Sequence, residues 1–257
     1  MENFTDILQA FEPISLKEMD NVKLLNRSDT KFILNTDMLA EILEDVKDKY
    51  RVLSTNGKRT NSYKTLYFDT QDFSSYTTHH NGKLNRIKIR FREYIDSGLI
   101  YLEIKFKNNK GKTIKSRVKN PTIENILSPN SKAFIEANSF YKADDIKPVL
   151  WNGFTRITLV HKTKKERATI DLNLSFSSYN GEIKKELPHL IIVEIKQERM
   201  SVDSDFIKAL KKKQIRQSSM SKYCIGTVLT NKTVKANKFK EHILKINKLK
   251  NDRGIIA

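Results

Sequence analysis

The sequence has few of the residues that build disulfide frameworks, linkers or glycine-rich phosphate loops. Its single cysteine, Cys224, excludes an intramolecular disulfide and a cysteine-based zinc cluster. Eight glycines and five prolines are scattered over 257 residues, without a P-loop, a dinucleotide-binding motif or a low-complexity linker. The five histidines show no metal-ligand or triad spacing. This composition is typical of one continuous domain whose chemistry depends on other side chains.

Long hydrophobic runs are also missing. The longest aliphatic run is LIIV at 190–193, far short of the roughly 20 apolar residues that a membrane-spanning helix needs. Charged side chains interrupt residues 1–20, so this segment does not have the pattern of a signal peptide. We therefore expect a cytoplasmic protein that associates with a membrane only by docking to a membrane protein.

Positive charge is what the sequence has in excess. Lysine and arginine number 48 against 30 aspartate and glutamate residues, which gives a formal net charge of +18. An excess of this size implies a polyanionic partner, such as a nucleic acid, an acidic membrane surface or a phosphate-rich small molecule. The positions of the basic residues must decide among these classes.

Alternating and apolar segments predict an α+β protein with many strands. We expect strands at 27–34, 50–55, 62–70, 84–95, 99–107, 112–119, 151–162, 166–176 and 189–198. Helices are expected at 37–49, capped by Thr36, and near 130–140, 204–213 and 218–229. His79 and His80 are assigned to a loop. The basic segment 231–257 is expected to be a helical tail that packs on the domain, or alternatively docks to an anionic surface.

Basic residues alternate with apolar ones in successive strands. Residues two apart in a strand share a face. The apolar face of the segment 86–92 carries Ile87, Ile89 and Phe91, and the opposite face carries Arg86, Lys88, Arg90 and Arg92. The same phase continues in the next two strands with Tyr101, Glu103, Lys105 and Lys107, and then with Lys115, Arg117 and Lys119.

For any one of these strands, an ordinary sheet with a solvated charged face is the simpler interpretation. Several basic rows side by side, however, repel one another unless an anion lies between them. The bulky apolar face must also pack against something, and helices are available. The pattern therefore predicts a barrel with an apolar exterior under helices and a charged interior that binds a ligand. Nucleic acid is disfavoured, because exposed aromatic platforms do not accompany the basic rows.

These residues occur in short motifs that together resemble a known family, the VTC domain. This is the polyphosphate polymerase domain of the vacuolar transporter chaperone family, within the CYTH-like triphosphate tunnel metalloenzymes. The resemblance runs from about residue 23 to about residue 230. Its motifs, in order, are RSDTK (27–31), TLYFDT (65–70), IRFREY (89–94), LEIK (102–105), KSR (115–117), FTRI (154–157), RATID (167–171), VEIK (193–196) and SKY (221–223).

The resemblance implies an eight-stranded antiparallel β-barrel tunnel flanked by helices, with residues 1–230 as the tunnel domain and 231–257 as the tail. The implied catalytic phosphate ligands are Lys31, Arg90, Arg92, Lys105, Arg156, Arg167, Lys196 and Lys222. Lys115 or Arg117 would join them, with Ser221 as a further donor. Arg86 and Lys88 share the face of Arg90 and are assigned to steering the substrate at a tunnel mouth.

Glu194 is the implied ligand of a divalent metal, Mn²⁺ or Mg²⁺. Glu103 is either a second metal ligand or the ion-pair partner of Lys105, and the ion pair is the preferred interpretation. Lys107 stands where fungal members of the family are expected to have histidine. Neither a sensor domain of the SPX type nor a transmembrane segment is present in the sequence, so the expected relatives are single-domain bacterial proteins.

The implied reaction transfers the γ-phosphoryl group of ATP to a growing polyphosphate chain. No strong general base is needed, because the attacking terminal phosphate is already an anion. One alternative is a triphosphatase of the same fold, in which water is the acceptor. The scarcity of inward carboxylates, namely Glu103, Asp171 and Glu194, favours the transferase. The other alternative is a non-catalytic module that binds polyphosphate or phosphate.

Overall fold

A computed structural model of the protein describes residues 4–20, 28–198 and 203–251. Its strands belong to one sheet. They are β1 (Glu12–Ile14), β2 (Ser28–Asn35), β3 (Tyr50–Leu53), β4 (Asn61–Thr70), β5 (Arg86–Tyr94), β6 (Leu99–Lys107), β7 (Thr113–Asn120), β8 (Ile146–His161), β9 (Glu166–Ser178), β10 (Lys184–Leu187) and β11 (Leu190–Gln197).

Eight α-helices and four 3₁₀ turns connect or cover these strands within the described ranges. The helices are α1 (Phe4–Ala10), α2 (Leu16–Asp20), α3 (Leu39–Val46), α4 (Ser74–His80), α5 (Pro129–Asn138), α6 (Asp205–Lys212), α7 (Lys222–Thr230) and α8 (Lys240–Asn251). The 3₁₀ turns are Thr36–Met38, Ile95–Ser97, Ala143–Asp145 and Asn237–Phe239. None of the helices in this part of the chain has the length and apolar character needed to cross a membrane.

Eight strands follow one another in the order β2, β11, β9, β8, β4, β5, β6 and β7, and every neighbouring pair is antiparallel. β1, β3 and β10 are additional short strands attached to this path. The expected antiparallel α+β architecture is therefore present, but a closed barrel is not confirmed. Within the described ranges β2 and β7 form the two ends of the path and do not pair with each other. The basic side chains of β7 make it a poor edge for further pairing.

The sheet is nevertheless strongly curved. Glu194 of β11 acts electrostatically on Lys105 of β6, although five strand spacings separate the two strands along the path. In a flat sheet those spacings would amount to about 24 Å, where such an interaction would be weak. The inner faces of β6 and β11 therefore face each other across a common interior.

The outer side of the sheet is apolar and lies under helices, as the alternation predicts. Ile89 and Phe91 of β5 are at most 1% exposed and belong to a cluster that includes Ile135 of α5. On β9 and β11, a second outer cluster includes Leu43 of α3 and Phe206 of α6. Burial of this face supplies the hydrophobic stabilisation that leaves the inner face available for polar groups.

One end of the interior, which we call the helix end, is filled by α7 and α8. Phe176 of β9, Ile192 of β11, Cys224 of α7 and Ile246 of α8 are each at most 3% exposed and share one apolar cluster. Gly226 of α7 is required there, because a Cβ atom would lie 2.5 Å from the Phe176 ring. The opposite end lies at the β5–β6 turn, Ile95–Ser97, and we call it the hairpin end.

Several local expectations were wrong. His79 and His80 end helix α4 and do not lie in a loop. The side chain that caps the 3₁₀ turn before α3 belongs to Asn35, which accepts from the amide of Asp37, whereas Thr36 donates to the carbonyl of Pro188. The tail contains helix α8, and its Ile246 packs into the apolar cluster of the helix end, which does not contradict the expectation of a helix packed on the domain. Residues 252–257 of the expected tail lie outside the described residues.

Candidate functional site

The basic rows predicted on separate strands lie side by side on the inner face of the curved sheet. Arg90 of β5 stands opposite Glu103 of β6, and Lys88 stands opposite Lys105. Lys105 in turn stands opposite Lys115 of β7. Like charges at opposite positions of neighbouring strands are destabilising. The sequence thus folds into a row of repelling cations that only carboxylates or a bound anion can balance.

Glu103 balances two of these cations. Its side chain is fully buried, and one oxygen accepts from Nε and Nη2 of Arg90 at 2.9 and 2.6 Å. The other oxygen lies 2.6 Å from Nζ of Lys115. Burial alone would raise the pKa of Glu103, but Arg90, Arg92 and Lys115 together hold it well below its usual value. Glu103 is thus an ion-pair partner, which was the preferred interpretation of the sequence. Its partners are Arg90 and Lys115, however, whereas Lys105 was the expected one.

Asp171 of β9 is the second inner carboxylate. Arg156 of β8 donates to its two oxygens at 2.5 and 2.8 Å, in a bidentate pair. Lys222, the first residue of α7, forms an ion pair with the same carboxylate. Burial opposes ionisation of Asp171, yet Arg156 and Lys222 lower its pKa below the usual range. Asp171 therefore connects strands β8 and β9 to the beginning of α7.

Glu194 of β11 is the third inner carboxylate and also has a cation on each oxygen. Lys31 of β2 pairs with Oε1, and Lys196 lies 2.7 Å from Oε2. Although burial raises the pKa of Glu194, the two lysines lower it well below the usual value. Burial lowers the pKa of Lys196 to about 8, and Glu194 only partly offsets this effect.

Three further inner cations have no carboxylate partner among the described residues: Lys88, Arg92 and Lys105. Burial, followed by the charge of Arg90, lowers the pKa of Arg92 to about 10. The charge of Arg90, followed by burial, lowers the pKa of Lys105 well below its usual value. Such lowered pKa values are expected for cations that are removed from water, lie near other cations and have no carboxylate to balance their charge.

The start of α7 adds donors at the same place. Ser221 caps the helix by accepting from the amide of Cys224, and Nζ of Lys88 donates to its hydroxyl at 2.9 Å. A helix N-terminus carries partial positive charge and favours phosphate. Ser221 and Lys222 therefore face the inner cations from the start of α7, with Nζ of Lys222 4.5 Å from the centroid of the Phe154 ring.

The remaining predicted site residues lie around this centre. Arg167 of β9 stands opposite Lys196 of β11. Arg86 of β5 stands opposite Lys107 of β6, near α4. Burial, with the charges of Lys88, Arg86 and Lys107, lowers the pKa of His79 to about 3, which places these cations beside α4 at the helix end. Lys115 and Arg117 are both exposed residues of the edge strand β7; Lys115 reaches Glu103, whereas the guanidinium of Arg117 lies over the Tyr101 ring.

Aromatic rings and a carboxylate at the centre were not expected as site components. Nη1 of Arg90 donates to the hydroxyl of Tyr67 at 3.2 Å, and Tyr67 packs against Tyr223 with ring centroids 5.0 Å apart. Tyr223 donates to Asp69, which also accepts from the amides of Ser75 and Tyr76 at 2.8 and 3.0 Å. The signal was present in the TLYFDT motif, because residues 67 and 69 share one strand face.

The inner residues do not form a complete metal site of their own. Within the described ranges, no three His, Cys, Asp or Glu side chains are grouped so that they could hold a metal ion. Both oxygens of Glu194 contact lysines, and Glu103 is fully engaged by cations. Magnesium sites that use one carboxylate complete their coordination with phosphate oxygens and water. A divalent ion at Glu194 would therefore have to displace one of the two lysines and take its other ligands from phosphate oxygens and water.

Comparison with known proteins gives one family. A family model described as VTC domain matches residues 26–231 of the chain, which confirms the resemblance that the motifs indicated. Comparison with curated protein sequences gave no significant match.

Solved structures resemble the fold at low identity. A candidate adenylate cyclase from Vibrio parahaemolyticus is 12% identical, with 77% of this chain and 96% of that chain covered and a TM-score of 0.44. A candidate adenylyl cyclase from Hippeastrum, described as having a dominant triphosphatase activity, is 14% identical, with 79% and 95% covered and a TM-score of 0.43. The protein PH1819 from Pyrococcus horikoshii is 13% identical, with 77% and 97% covered and a TM-score of 0.41. At these values the likeness carries no argument about activity.

Proposed function

The chain belongs to the VTC domain family, and from this premise we propose that it is an ATP-dependent polyphosphate polymerase. In this proposal the triphosphate of ATP and the end of a polyphosphate chain occupy the charged interior. The γ-phosphoryl group passes to the terminal phosphate of the chain, and ADP leaves.

The observation that carries this proposal is a set of inner cations, one buried and two half-buried, that have no carboxylate partner among the described residues. Arg92 is 8% exposed, and its Nε has only the hydroxyl of Thr65, at 3.3 Å, as a hydrogen-bond acceptor. An unpaired buried charge costs several kcal/mol even after relaxation. Together with Lys105 and Lys88, Arg92 forms a position where a polyanion would compensate charge that the protein leaves uncompensated.

The proposed catalysis depends on positioning and charge neutralisation. Arg92 offers a planar guanidinium group that can bind phosphate oxygens through two hydrogen bonds, whereas Arg90 and Arg156, which donate to Glu103 and Asp171, would contribute their positive charge and remaining N–H groups. Phosphoryl transfer involves little covalent chemistry by the enzyme, so fixed cations around the transferred group are the main source of acceleration. An attacking phosphate is already anionic, and no inner carboxylate is needed as a base.

The two ends of the interior receive different roles. Lys222 and Ser221 at the start of α7 would bind the phosphates that lie nearest the helix end. Arg86 and Lys88, with Lys107, lie at the helix end and would bind the phosphates nearest to it; the expected role of steering substrate at a tunnel mouth does not suit this position. Lys31, Lys196 and Arg167 would hold the nucleotide phosphates from the opposite wall, and Lys115 would contribute from β7.

A divalent ion, Mn²⁺ or Mg²⁺, fits as a companion of the phosphates at Glu194. When bound, it would neutralise charge on the phosphate oxygens during transfer. Lys31 and Lys196 keep Glu194 ionised and orient its carboxylate towards the interior. Glu103 is assigned to holding Arg90 and Lys115 and not to the metal.

Triphosphate hydrolysis is the second candidate, and one observation favours it. The helix end is filled by apolar side chains of α7 and α8, which suits a short phosphate chain better than a long one. Against it, the carboxylates of Glu103 and Asp171 are each engaged by two cations, which leaves neither of them free to orient an attacking water molecule.

Incubation of the purified protein with ATP and Mn²⁺ tests the assignment. The proposal predicts ADP and a phosphate polymer; free phosphate without polymer supports the hydrolase, and tight polyphosphate binding without turnover supports a binding module. Glu194→Gln should abolish turnover while tripolyphosphate affinity stays within a few-fold of the wild type. Undiminished turnover in this variant would refute the role of Glu194. Lys132→Met, at an exposed ion pair on α5, is the control and should retain full activity.

A further inference from the structure

A row of aromatic rings lies on the inner face towards the hairpin end. Tyr63 of β4 stacks on Phe154 of β8 with ring centroids 4.9 Å apart, and it lies 5.0 Å from Tyr94 of β5. Tyr94 meets Tyr101 of β6 edge to face at 6.0 Å. Tyr94 and Tyr101 are also the neighbours of Arg92, by two residues along β5 and by direct pairing across β6.

Only part of this row can accept a ligand. Tyr63 and Phe154 are 8% and 3% exposed and are part of the protein core. Tyr94 and Tyr101 are half-buried, so each retains ring surface that other atoms can reach. The guanidinium of Arg117, an exposed residue of β7, lies 4.8 Å from the centroid of the Tyr101 ring. A planar cation on an aromatic ring is a typical surface for stacking a nucleobase.

The two ends of the interior restrict how a nucleotide can lie. If its phosphates contact Arg90 and Arg92, the bulky nucleoside must extend along the strands in one of two directions. Towards the helix end, Phe176 and Ile246 are each 2% exposed in the apolar cluster that α7 and α8 complete, and this cluster extends to Tyr63 and Phe154. At the hairpin end, Tyr94 lies two residues beyond Arg92, about 7 Å along an antiparallel strand. That separation is on the scale of the ribose that joins a base to its phosphates.

We propose that Tyr94, Tyr101 and Arg117 form a stacking site for the nucleobase of a nucleoside triphosphate. The proposal rests on the proposed function, because it takes the phosphates to lie at Arg90 and Arg92. The proposal gives the two β7 residues different roles. Lys115 pairs with Glu103 beside the phosphates, whereas Arg117 contacts the base. Stacking tolerates different bases, so GTP is expected to bind about as well as ATP.

The test compares two ligands that share the phosphates but differ in the nucleoside. Binding of ATP and of inorganic tripolyphosphate to the whole chain is measured by isothermal titration calorimetry, which needs no turnover. Tyr101→Leu should weaken ATP binding about tenfold, the effect of losing one base-stacking contact. The same variant should bind tripolyphosphate within twofold of the wild type. Tyr101→Phe, which keeps the ring, should restore ATP affinity.

Tyr179→Leu supplies the matched control, because Tyr179 is 39% exposed at the end of β9 and outside the site. It should leave both affinities unchanged. Equal weakening of ATP and tripolyphosphate by Tyr101→Leu would overturn the proposal, and so would unchanged ATP binding. If Tyr101→Leu does not fold, Tyr94→Leu gives the same comparison. The two proposals can fail independently. If Tyr101→Leu selectively loses ATP binding but the wild type makes no polymer from ATP, the stacking site stands and the polymerase assignment fails.

Discussion

The two faces of strand β5 are both buried, but they are buried in opposite ways. Phe91 is fully covered by apolar neighbours on the outer side, and its burial stabilises the fold. Arg92, the next residue, is 8% exposed on the inner side and has no carboxylate partner among the described residues. Burial therefore stabilises the fold at Phe91 and destabilises it at Arg92.

This difference indicates where selection for function acts. Outer residues should be replaceable only at the expense of folding, whereas some inner cations should be replaceable with no loss of folding and a loss of ligand binding. Variants of neighbouring residues on the two faces can separate these effects.

The largest expected effect comes from the outer face. Phe91→Ala should lower the free energy of unfolding by about 3–5 kcal/mol, because it removes a buried ring and leaves a cavity under α5. Denaturant titration measures this loss. In the fraction that remains folded, tripolyphosphate affinity should equal that of the wild type. A variant that loses affinity without losing stability would contradict the separation of the two faces.

The next largest effect is expected at Glu103. Glu103→Gln leaves Arg90 buried without its carboxylate and also removes the ion pair of the exposed Lys115, and we expect a loss of about 3 kcal/mol in the free energy of unfolding, chiefly from Arg90. Tripolyphosphate should restore part of this stability, and restore more than it adds to the wild type, because its charge replaces that of the carboxylate. Denaturant titrations with and without the ligand give both quantities. Equal stabilisation of variant and wild type would show that the anion does not bind beside Arg90.

A change of opposite sign is expected at Lys105. Lys105→Met removes a half-buried cation that has no carboxylate partner among the described residues, so the free energy of unfolding should stay the same or rise by about 1 kcal/mol. Tripolyphosphate affinity should fall about tenfold or more in the same protein. The exposed pair of Lys132 and Asp144 supplies the control, because Lys132→Met should change neither quantity by much. Lower stability together with unchanged affinity at Lys105 would place this lysine with the structural residues.

The smallest effect is a dependence on pH. The folded protein holds the pKa of Lys196 near 8, below its usual value of 10.5, chiefly because of burial. Between about pH 8 and pH 10 the unfolded chain therefore binds more protons at this site, and the free energy of unfolding should rise with pH. Tripolyphosphate affinity should fall over the same interval as the lysine loses its charge. Lys196→Met should reduce both slopes, and unchanged slopes would assign them to other groups.

The period-two pattern of β5, β6 and β11 was sufficient to predict which side chains lie inside. The partner of Glu103 was not predictable from it. The carboxylate pairs with Arg90 directly opposite and with Lys115 diagonally, whereas Lys105 on the same strand does not reach it. Such choices depend on the register of three strands and on side-chain reach, which one sequence does not specify.

Helix α4 shows a second limit. Its sequence, SSYTTHH, has no apolar period, and the amides at its start are satisfied by Asp69 of the preceding strand. Whether the barrel closes could not be predicted from the sequence either. Alternation defines the two faces of a strand, but it does not show whether the first and last strands pair. The family motifs, in contrast, gave the inner cations in the correct phase.

The central claim is that the inner cations without carboxylate partners bind a polyanion, and tripolyphosphate titration with denaturant tests it most directly. The free energy of unfolding of the wild type should rise with ligand concentration as RT ln(1 + [L]/Kd), and this rise should largely disappear in an Arg92→Met, Lys105→Met double variant. The double variant should be at least as stable as the wild type without ligand. A wild type that tripolyphosphate does not stabilise, or a double variant that it stabilises equally, would contradict the account.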